Sequence, residues 1–436
     1  MTTTSEETPP GVLPAPTTGG TVRDRYRRHL SRGRAKLGDL FGGHVEVASQ
    51  GAWVSTEDGG RFLNAGGYGV FIHGARHPAV VSAVVRQVRT HPVATRLLLE
   101  PEVAYAAEAL LAVAPPGLER VHFAGSGAEA TEAAIKMART CGKTRLVSMI
   151  GGYHGKTMGA LSITARDLYQ RPFRPLLPDV VQVPYGDAEA LAATLAGGPE
   201  ACVVVEPVQG EAGVVIPPVG YLSDVAQLCR EHGAFLVLDE VLTGVGRLGQ
   251  WWGADREGVT PDVMLVGKGL SGGIVPVSAA VATAAAFQAF DKDPFLHTST
   301  FSGAPIAMAA TRAAIAAVID EGLVARAATI GADLLDRLRA VVAPYPHLVR
   351  EVRGLGLLLG MEFTGPGLVG EMIIELVNQR VIVNHSLNAD TVLRLTPPAV
   401  ITPDEVDHLV SAVDAALRAL DRRYPAGRQA EVSGHA

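Results

Sequence analysis

The sequence is poor in cysteine, in lysine and in long apolar runs, and each scarcity narrows what the chain can be. Its three cysteines, Cys141, Cys202 and Cys229, stand far apart and form no Cys-x-x-Cys pair. That spacing suits a reducing compartment and argues against a disulfide framework or a zinc site. Apolar runs such as "AIAAVI" are cut off by Arg312 and Asp320, so no segment reads as membrane-spanning. The stretch "MTTTSEETPPGVLPAPTTGG" has neither a basic start nor an apolar centre and does not read as a signal peptide. Its Pro, Thr and Gly bias reads as a disordered tail over 1–20. A net charge of −6, without a Lys/Arg stripe and interleaved aromatics, speaks against nucleic acid as a partner. The one basic cluster, "RDRYRRHLSRGRAK" from Arg23 to Lys36, reads as a solvated amphipathic helix. These features lead to the expectation of a cytoplasmic protein.

What is present is a large globular chain of 436 residues, 47 % hydrophobic, enough for more than one compact unit. "GAWVSTEDGGRFLNAGG" (51–67) alternates like a hairpin around Asp58-Gly59-Gly60. "HPAVVSAVVRQVRT" and "EVAYAAEALLAVA" have helical spacing. Short Val/Leu/Ile runs follow at 120–123, 145–150, 201–206, 234–239, 262–267 and 277–282, with amphipathic segments between them. That alternation implies a largely parallel sheet covered on both faces, an α/β fold. Helices are expected at 306–320 and 324–342. The last hundred residues mix strands and helices like a smaller α+β unit. The expected division is a tail (1–20), an N-terminal segment joining the small domain (21–75), a large domain (76–322), a small domain (323–424) and a loose tail (425–436).

The run "FLVLDEVLTG" (Phe235 to Gly244) ends a buried strand on two carboxylates, Asp239 and Glu240. One reading is the magnesium-holding strand of a P-loop ATPase, with "GGYHGKT" (151–157) as its phosphate loop. That loop needs four residues between its glycines, and here there are three, preceded by Ile150. The other reading looks one strand further, to "DVMLVGKGLSGG". Lys268 is one of only six lysines against 32 arginines, flanked by Gly267 and Gly269. It belongs at the carboxyl end of the strand after that of Asp239, where open α/β sheets bind ligands.

An acid and a lysine together suit pyridoxal phosphate: the lysine forms a Schiff base with the aldehyde, and the carboxylate keeps the pyridine nitrogen protonated. Such a cofactor needs a phosphate site, which "GSGAE" can supply. Ser126 and the backbone N–H groups of a helix opening at about Ala128 stand there. Tyr153 is placed to stack on the ring, with Val241 on its other face.

Together, "GSGAEATEAAIKMAR", "GGYHGKTMGALSIT", "VEPVQGEAGV", "LDEVLTGVGRLG", "LVGKGLSGG", "HTSTFSGAPIAMAA", "RGLGLLLGMEF" and "LRLTPP" resemble the class III, fold type I, pyridoxal-phosphate-dependent aminotransferases. The resemblance runs in order from about Leu40 to Leu420. It is strongest to the putrescine and ornithine-type omega-aminotransferase branch, through "GALSITARDLYQRPFRPLLP", "DPFLHTSTFSGAP" and "RVIVNHSLNADTVLRLTPP". It implies a large domain with a mostly parallel seven-stranded sheet and a smaller α+β C-terminal domain.

The resemblance also implies roles. Lys268 becomes the Schiff-base and proton-transfer lysine and Asp239 the partner of the pyridine nitrogen. Ser126, Gly127 and Ala128 bind the phosphate, joined by Thr300 from the neighbouring subunit of a homodimer with shared sites. Tyr153 and Val241 flank the ring, and His154 and Glu206 line the cofactor site. Arg394 holds a substrate carboxylate, and Glu211 neutralises Arg394 when the substrate has none. Three positions depart from the family pattern: Leu242 stands for a usual Gln, Ala128 for a frequent Thr, and "SGAP" (302–305) for Gly-Gly-Asn-Pro. The implied reaction is a ping-pong transamination between a terminal amine and a keto acid such as 2-oxoglutarate, or an aldehyde. Amination of a polyketide or other secondary-metabolite aldehyde is the alternative. An aminomutase and a P-loop ATPase are more distant ones.

Overall fold

The computed structural model describes residues 20–426. The expected tails therefore fall mostly outside the described residues. The chain divides into two compact units, one running up to Ala48 and including Ser55–Gly60, the other Ser49–Val54 with everything from Arg61 onward.

The first unit is helical at its start. The basic cluster is not one helix but three short pieces, Val22–Arg25, a π-helical turn at Tyr26–Leu30, and Arg32–Leu40. The break is at Ser31, whose extended backbone lets its side chain cap the next helix through Arg34 N–H. Ala35 is the only buried residue of the three pieces. The arginines are held by Asp39, at 3.0 Å from Arg23 and 2.5 Å from Arg27. At Asp58-Gly59-Gly60 the expected turn forms: Thr56 N–H donates to Gly60 C=O.

The second unit is built on a seven-stranded sheet. Its strands are β1 (Arg120–Ala124), β2 (Arg145–Met149), β3 (Val180–Val183), β4 (Ala201–Val205), β5 (Phe235–Asp239), β6 (Val263–Val266) and β7 (Ser278–Ala282). They lie in the order β1-β7-β6-β5-β4-β2-β3, and only β7 runs antiparallel to its neighbours. Strands β4, β5 and β6 are buried at every residue, as continuous apolar runs covered on both faces must be. The apolar-run pattern passes over β3. It is an edge strand, short and partly exposed, with Gln182 in its middle.

A second, antiparallel sheet holds β8 (Val349–Leu355), β9 (Leu358–Phe363) and β10 (Val392–Leu395), with Asn384–His385 at its edge. Five helices begin on proline, at Pro78, Pro101, Pro305, Pro366 and Pro403, where the missing N–H costs nothing. Among the described residues no helix is long and apolar enough to cross a membrane.

Candidate active site

A cavity of about 610 Å³ opens at the carboxyl ends of β1, β2, β4, β5 and β6. Each strand ends there and hands its next residues to the wall, which is where the switch in strand order of an open sheet leaves a crevice.

From β1 comes Ser126. It is the N-cap of the helix Gly127–Thr140 and accepts from Glu129 N–H at 3.3 Å. Gly127 and Ala128 are the first helical residues, whose N–H groups have no partner inside the helix. A Cβ at Gly127 would stand 3.1 Å from Val241 Cγ1, so only glycine leaves this cradle open. Together with the positive end of a 14-residue helix, these groups fit a phosphate.

From β5 comes Asp239, almost fully buried. Its Oδ2 lies 2.7 Å from His154 Nδ1, and its Oδ1 accepts from Val241 N–H at 3.1 Å. His154 is itself buried, its backbone N–H donating to Thr164 and its C=O accepting from Thr131. Burial pushes its imidazole down, but the hydrogen bond and charge of Asp239, with the charge of Glu206, override this and leave it raised. Its Nε2 has no partner. A carboxylate oriented by a histidine and lining the cavity suits a cationic ring nitrogen.

Glu206, from β4, accepts from Tyr153 N–H at 2.9 Å, and burial pushes its carboxyl up to about 7 against the pull of His154. Glu240, beside Asp239, points away from the cavity. It accepts from Thr243 Oγ1 and from the N–H groups of Gly253 and Ala254, at 2.9 and 2.7 Å, and so anchors the turn.

Lys268 begins the short turn after β6 with φ +45°, in the left-handed region. Such a backbone costs on the order of 1–3 kcal/mol in a residue with a Cβ and persists where surroundings enforce it. The flanking glycines have a steric reason: a Cβ at Gly267 would stand 3.3 Å from Val241, and one at Gly269 3.2 Å from Ile72. Burial lowers the lysine pKa, with Arg394 adding to the effect and Glu211 opposing it. A lysine shifted this way is less fully protonated and a better nucleophile.

Glu211 lines the cavity and Arg394, from β10, stands sealed behind it, 1 % exposed. Glu211 Oε1 lies 2.6 Å from Arg394 Nη1, while Oε2 accepts from Leu387 N–H at 2.9 Å. Burial pushes the Glu211 carboxyl up, but Arg394 and Lys268 override this and hold it below its usual range. Arg394 Nη1 is engaged by Glu211, while its Nε has no hydrogen-bond partner.

Of the residues assigned to the cofactor or substrate site in the sequence, all but Arg394 and Thr300 line this one cavity. Thr300 is exposed and not on its wall. The P-loop alternative loses its phosphate site. Glu132 Oε1 accepts from Thr157 Oγ1 at 2.6 Å and from the N–H groups of Gly159 and Ala160, at 2.8 and 3.2 Å, where a phosphate would have to sit. Lys156 turns over the Tyr169 ring instead, 3.8 Å from its centroid. Among the parts of the wall that the sequence reading passed over are Val70 and the run Ile274–Val277. Neither bears chemistry, and only the second follows the lysine closely enough to be guessed.

Comparison with known proteins agrees with the geometry. Residues 44–417 match the family model for class III aminotransferases. The ornithine aminotransferase of Toxoplasma gondii, in a structure described with partial occupancy of pyridoxal phosphate at its active site, is similar over 92 % of this chain and 94 % of its own. It has 28 % identity and a TM-score of 0.85. The ornithine delta-aminotransferase of Plasmodium falciparum shares 29 % identity over 87 % of this chain and 94 % of its own, with a TM-score of 0.77. A thermostable omega transaminase from Pseudomonas jessenii shares 26 % over 93 % and 99 %, with a TM-score of 0.86. With an acid, a lysine and a phosphate cradle in one crevice, and this match over most of its length, the chain belongs to the class III aminotransferases and is a transaminase that works with pyridoxal phosphate.

Proposed function

We propose that the enzyme moves an amino group from a terminal amine, putrescine-like or ω-amino, to a keto acid such as 2-oxoglutarate or to an aldehyde, in two half-reactions at one site. The observation that carries this reading is Arg394 covered by Glu211: a buried guanidinium neutralised by a carboxylate on the cavity wall. With Glu211 in place the wall suits an amine that bears no carboxylate there. With Glu211 turned aside, Arg394 offers a fork to the acid.

Bound pyridoxal phosphate supplies an aldehyde that holds the amine covalently and a ring that takes up electron density. Lys268 would hold the cofactor aldehyde between turnovers. During turnover it takes a proton from the substrate carbon and returns one, base and then acid. Its lowered pKa supports the role. Asp239, steadied by His154, would pair with the ring nitrogen and keep it protonated. Ser126 with the Gly127 and Ala128 amides would take the phosphate, Tyr153 and Val241 would hold the ring, and Glu206 fixes the turn that carries Tyr153.

Thr300 serves the neighbouring subunit's phosphate in this reading, which makes the enzyme a homodimer. In support, Leu97, Leu98 and Leu99 are 88, 79 and 103 % exposed, and Phe295 and Phe301 are 81 and 67 % exposed, an apolar surface that a second copy would cover. The free cysteines, two of them buried, fit a cytoplasmic setting.

A second reading, amination of a secondary-metabolite aldehyde, is favoured by the apolar part of the wall, where Val70, Leu242, Ile274 and Val275 stand. A panel of putrescine, cadaverine, ornithine, lysine and glutamate with 2-oxoglutarate, with glutamate and the aldehyde or keto product measured, separates the two. Turnover of the diamines supports the first; no turnover of the diamines while an apolar aldehyde is aminated at the expense of glutamate supports the second. Borohydride treatment of the holoenzyme is expected to fix the cofactor on the peptide containing Lys268. Label on another lysine would overturn the residue assignment.

A further inference from the structure

Arg247 is a buried cation without a carboxylate of its own. It is 1 % exposed, and among the described residues it forms no ion pair. Its guanidinium donates only to carbonyls: Nη1 to Leu357 at 3.2 Å and to Pro397 at 2.6 Å, and Nη2 to Gly69 at 3.2 Å. Its Nε has no partner. Burial and the nearby charge of Arg394 push it down to about 9, which leaves it charged at neutral pH.

A solitary buried charge is costly, and packing alone would be served as well by an apolar side chain of similar volume. The surrounding turn is also strained to place it. The two residues before it, Val245 and Gly246, have φ +56° and +87°, and a β-branched residue adopts that region at a cost.

Two of the three carbonyls, those of Gly69 and Pro397, belong to segments next to the site. Gly69 precedes the wall residue Val70, and a Cβ on it would stand 2.6 Å from Leu242 and 3.9 Å from Lys268. Pro397 follows Arg394 by three residues. On either side of Pro397, Thr396 N–H donates to Ala65 C=O at 2.7 Å, and Ala399 N–H to Ile72 C=O at 2.8 Å. Arg247 thus joins the segment 65–72 to the segment bearing Arg394, and adds a second guanidinium beside one that has only Glu211 to balance it.

We propose that Arg247 is a positioning residue for recognition of the acceptor acid: its unmatched charge adds to that of Arg394, and its three carbonyl contacts hold Arg394 and the Gly69 wall in register, so that the site favours a dicarboxylate acceptor over a neutral one. This rests on the reading of Arg394 as the carboxylate fork. A buried like-charge neighbour acts at longer range than a hydrogen bond because little water screens it.

The test compares wild-type holoenzyme with Arg247→Met, Arg247→Lys and Arg394→Met. Steady-state constants are taken for the amine donor, 2-oxoglutarate and a neutral aldehyde, and glutarate is titrated into each holoenzyme by calorimetry. Arg247→Met is expected to raise KM for 2-oxoglutarate and Kd for glutarate about tenfold more than it raises KM for the amine or the aldehyde. Arg247→Lys, which keeps the charge and loses part of the fork, is expected to recover most of that. Equal losses for all substrates, or a Lys variant no better than Met, would overturn the proposal, as would failure of both Arg247 variants to yield folded holoenzyme. If Arg394→Met leaves glutarate and 2-oxoglutarate binding as in wild type, the fork reading itself falls. If Arg394→Met weakens both and Arg247→Met does not, only the Arg247 proposal falls.

Discussion

His154 Nδ1 lies 2.7 Å from Asp239 Oδ2, both groups are buried, and the far ring nitrogen of His154 has no partner. The pair therefore spends the histidine's one bond on orienting the carboxylate. His154 is raised above its ordinary value near 6.5, so the folded state binds its proton more tightly than the unfolded one. The stability this contributes is complete below about 6.5 and is lost as pH rises through the raised folded value. The stability difference between wild type and His154→Phe, measured by denaturation from about pH 6 to 9, is expected to shrink with rising pH. A difference that stays flat would show that the pair does not carry the proton assigned to it.

Glu211 divides its carboxylate between Arg394 and the Leu387 amide. Glu211→Gln keeps the size and removes the charge that neutralises the fork. KM for 2-oxoglutarate is expected to fall and KM for a carboxylate-free amine to rise, each by about three- to tenfold. Parallel changes for both substrates would sink the covering role.

Glu240 is wholly buried and takes the Gly253 and Ala254 amides along with the Thr243 hydroxyl. Glu240→Ala strands two buried N–H groups and is expected to cost roughly 3 kcal/mol of stability. Burial lifts its carboxyl from 4.5 to about 7, so the folded state holds the proton more tightly and stability declines as pH rises between those values. Glu240→Gln is expected to flatten that slope, which thermal scans at several pH values would detect.

The exposed run Leu97-Leu98-Leu99 is expected to lie against a second copy. Leu98→Asp should shift the sedimenting species from dimer to monomer and reduce activity, because Thr300 would no longer reach the neighbour. Full activity in a wild-type monomer would refute both statements.

Asp239, Lys268 and Ser126 could be singled out because each ends or closely follows a strand with its own local signature, whereas Glu211, Arg394 and Thr300 came only from the family resemblance. Phe235–Asp239 and Val263–Val266 are continuous apolar runs, and the residue at the end of such a run in a parallel sheet must face the crevice. Ser126 was legible as a cap because hydroxyls and small residues start helices. β3 escaped because an edge strand needs no apolar run, and the basic cluster fooled the helical pattern because periodicity does not register a cap at Ser31.

Local sequence thus determined which residues end strands, which cap helices, and that an acid and a lysine share a crevice. These depend on backbone preference and on burial along a single element. Tertiary structure alone decided what each polar group faces. Burial beside Asp239 sets the charge of His154, Glu240 turns from the cavity to two amides, and Arg247 reaches carbonyls some 110 to 178 residues away without a carboxylate. Electrostatic partners are set by distance in space, and no pattern along the chain encodes that distance.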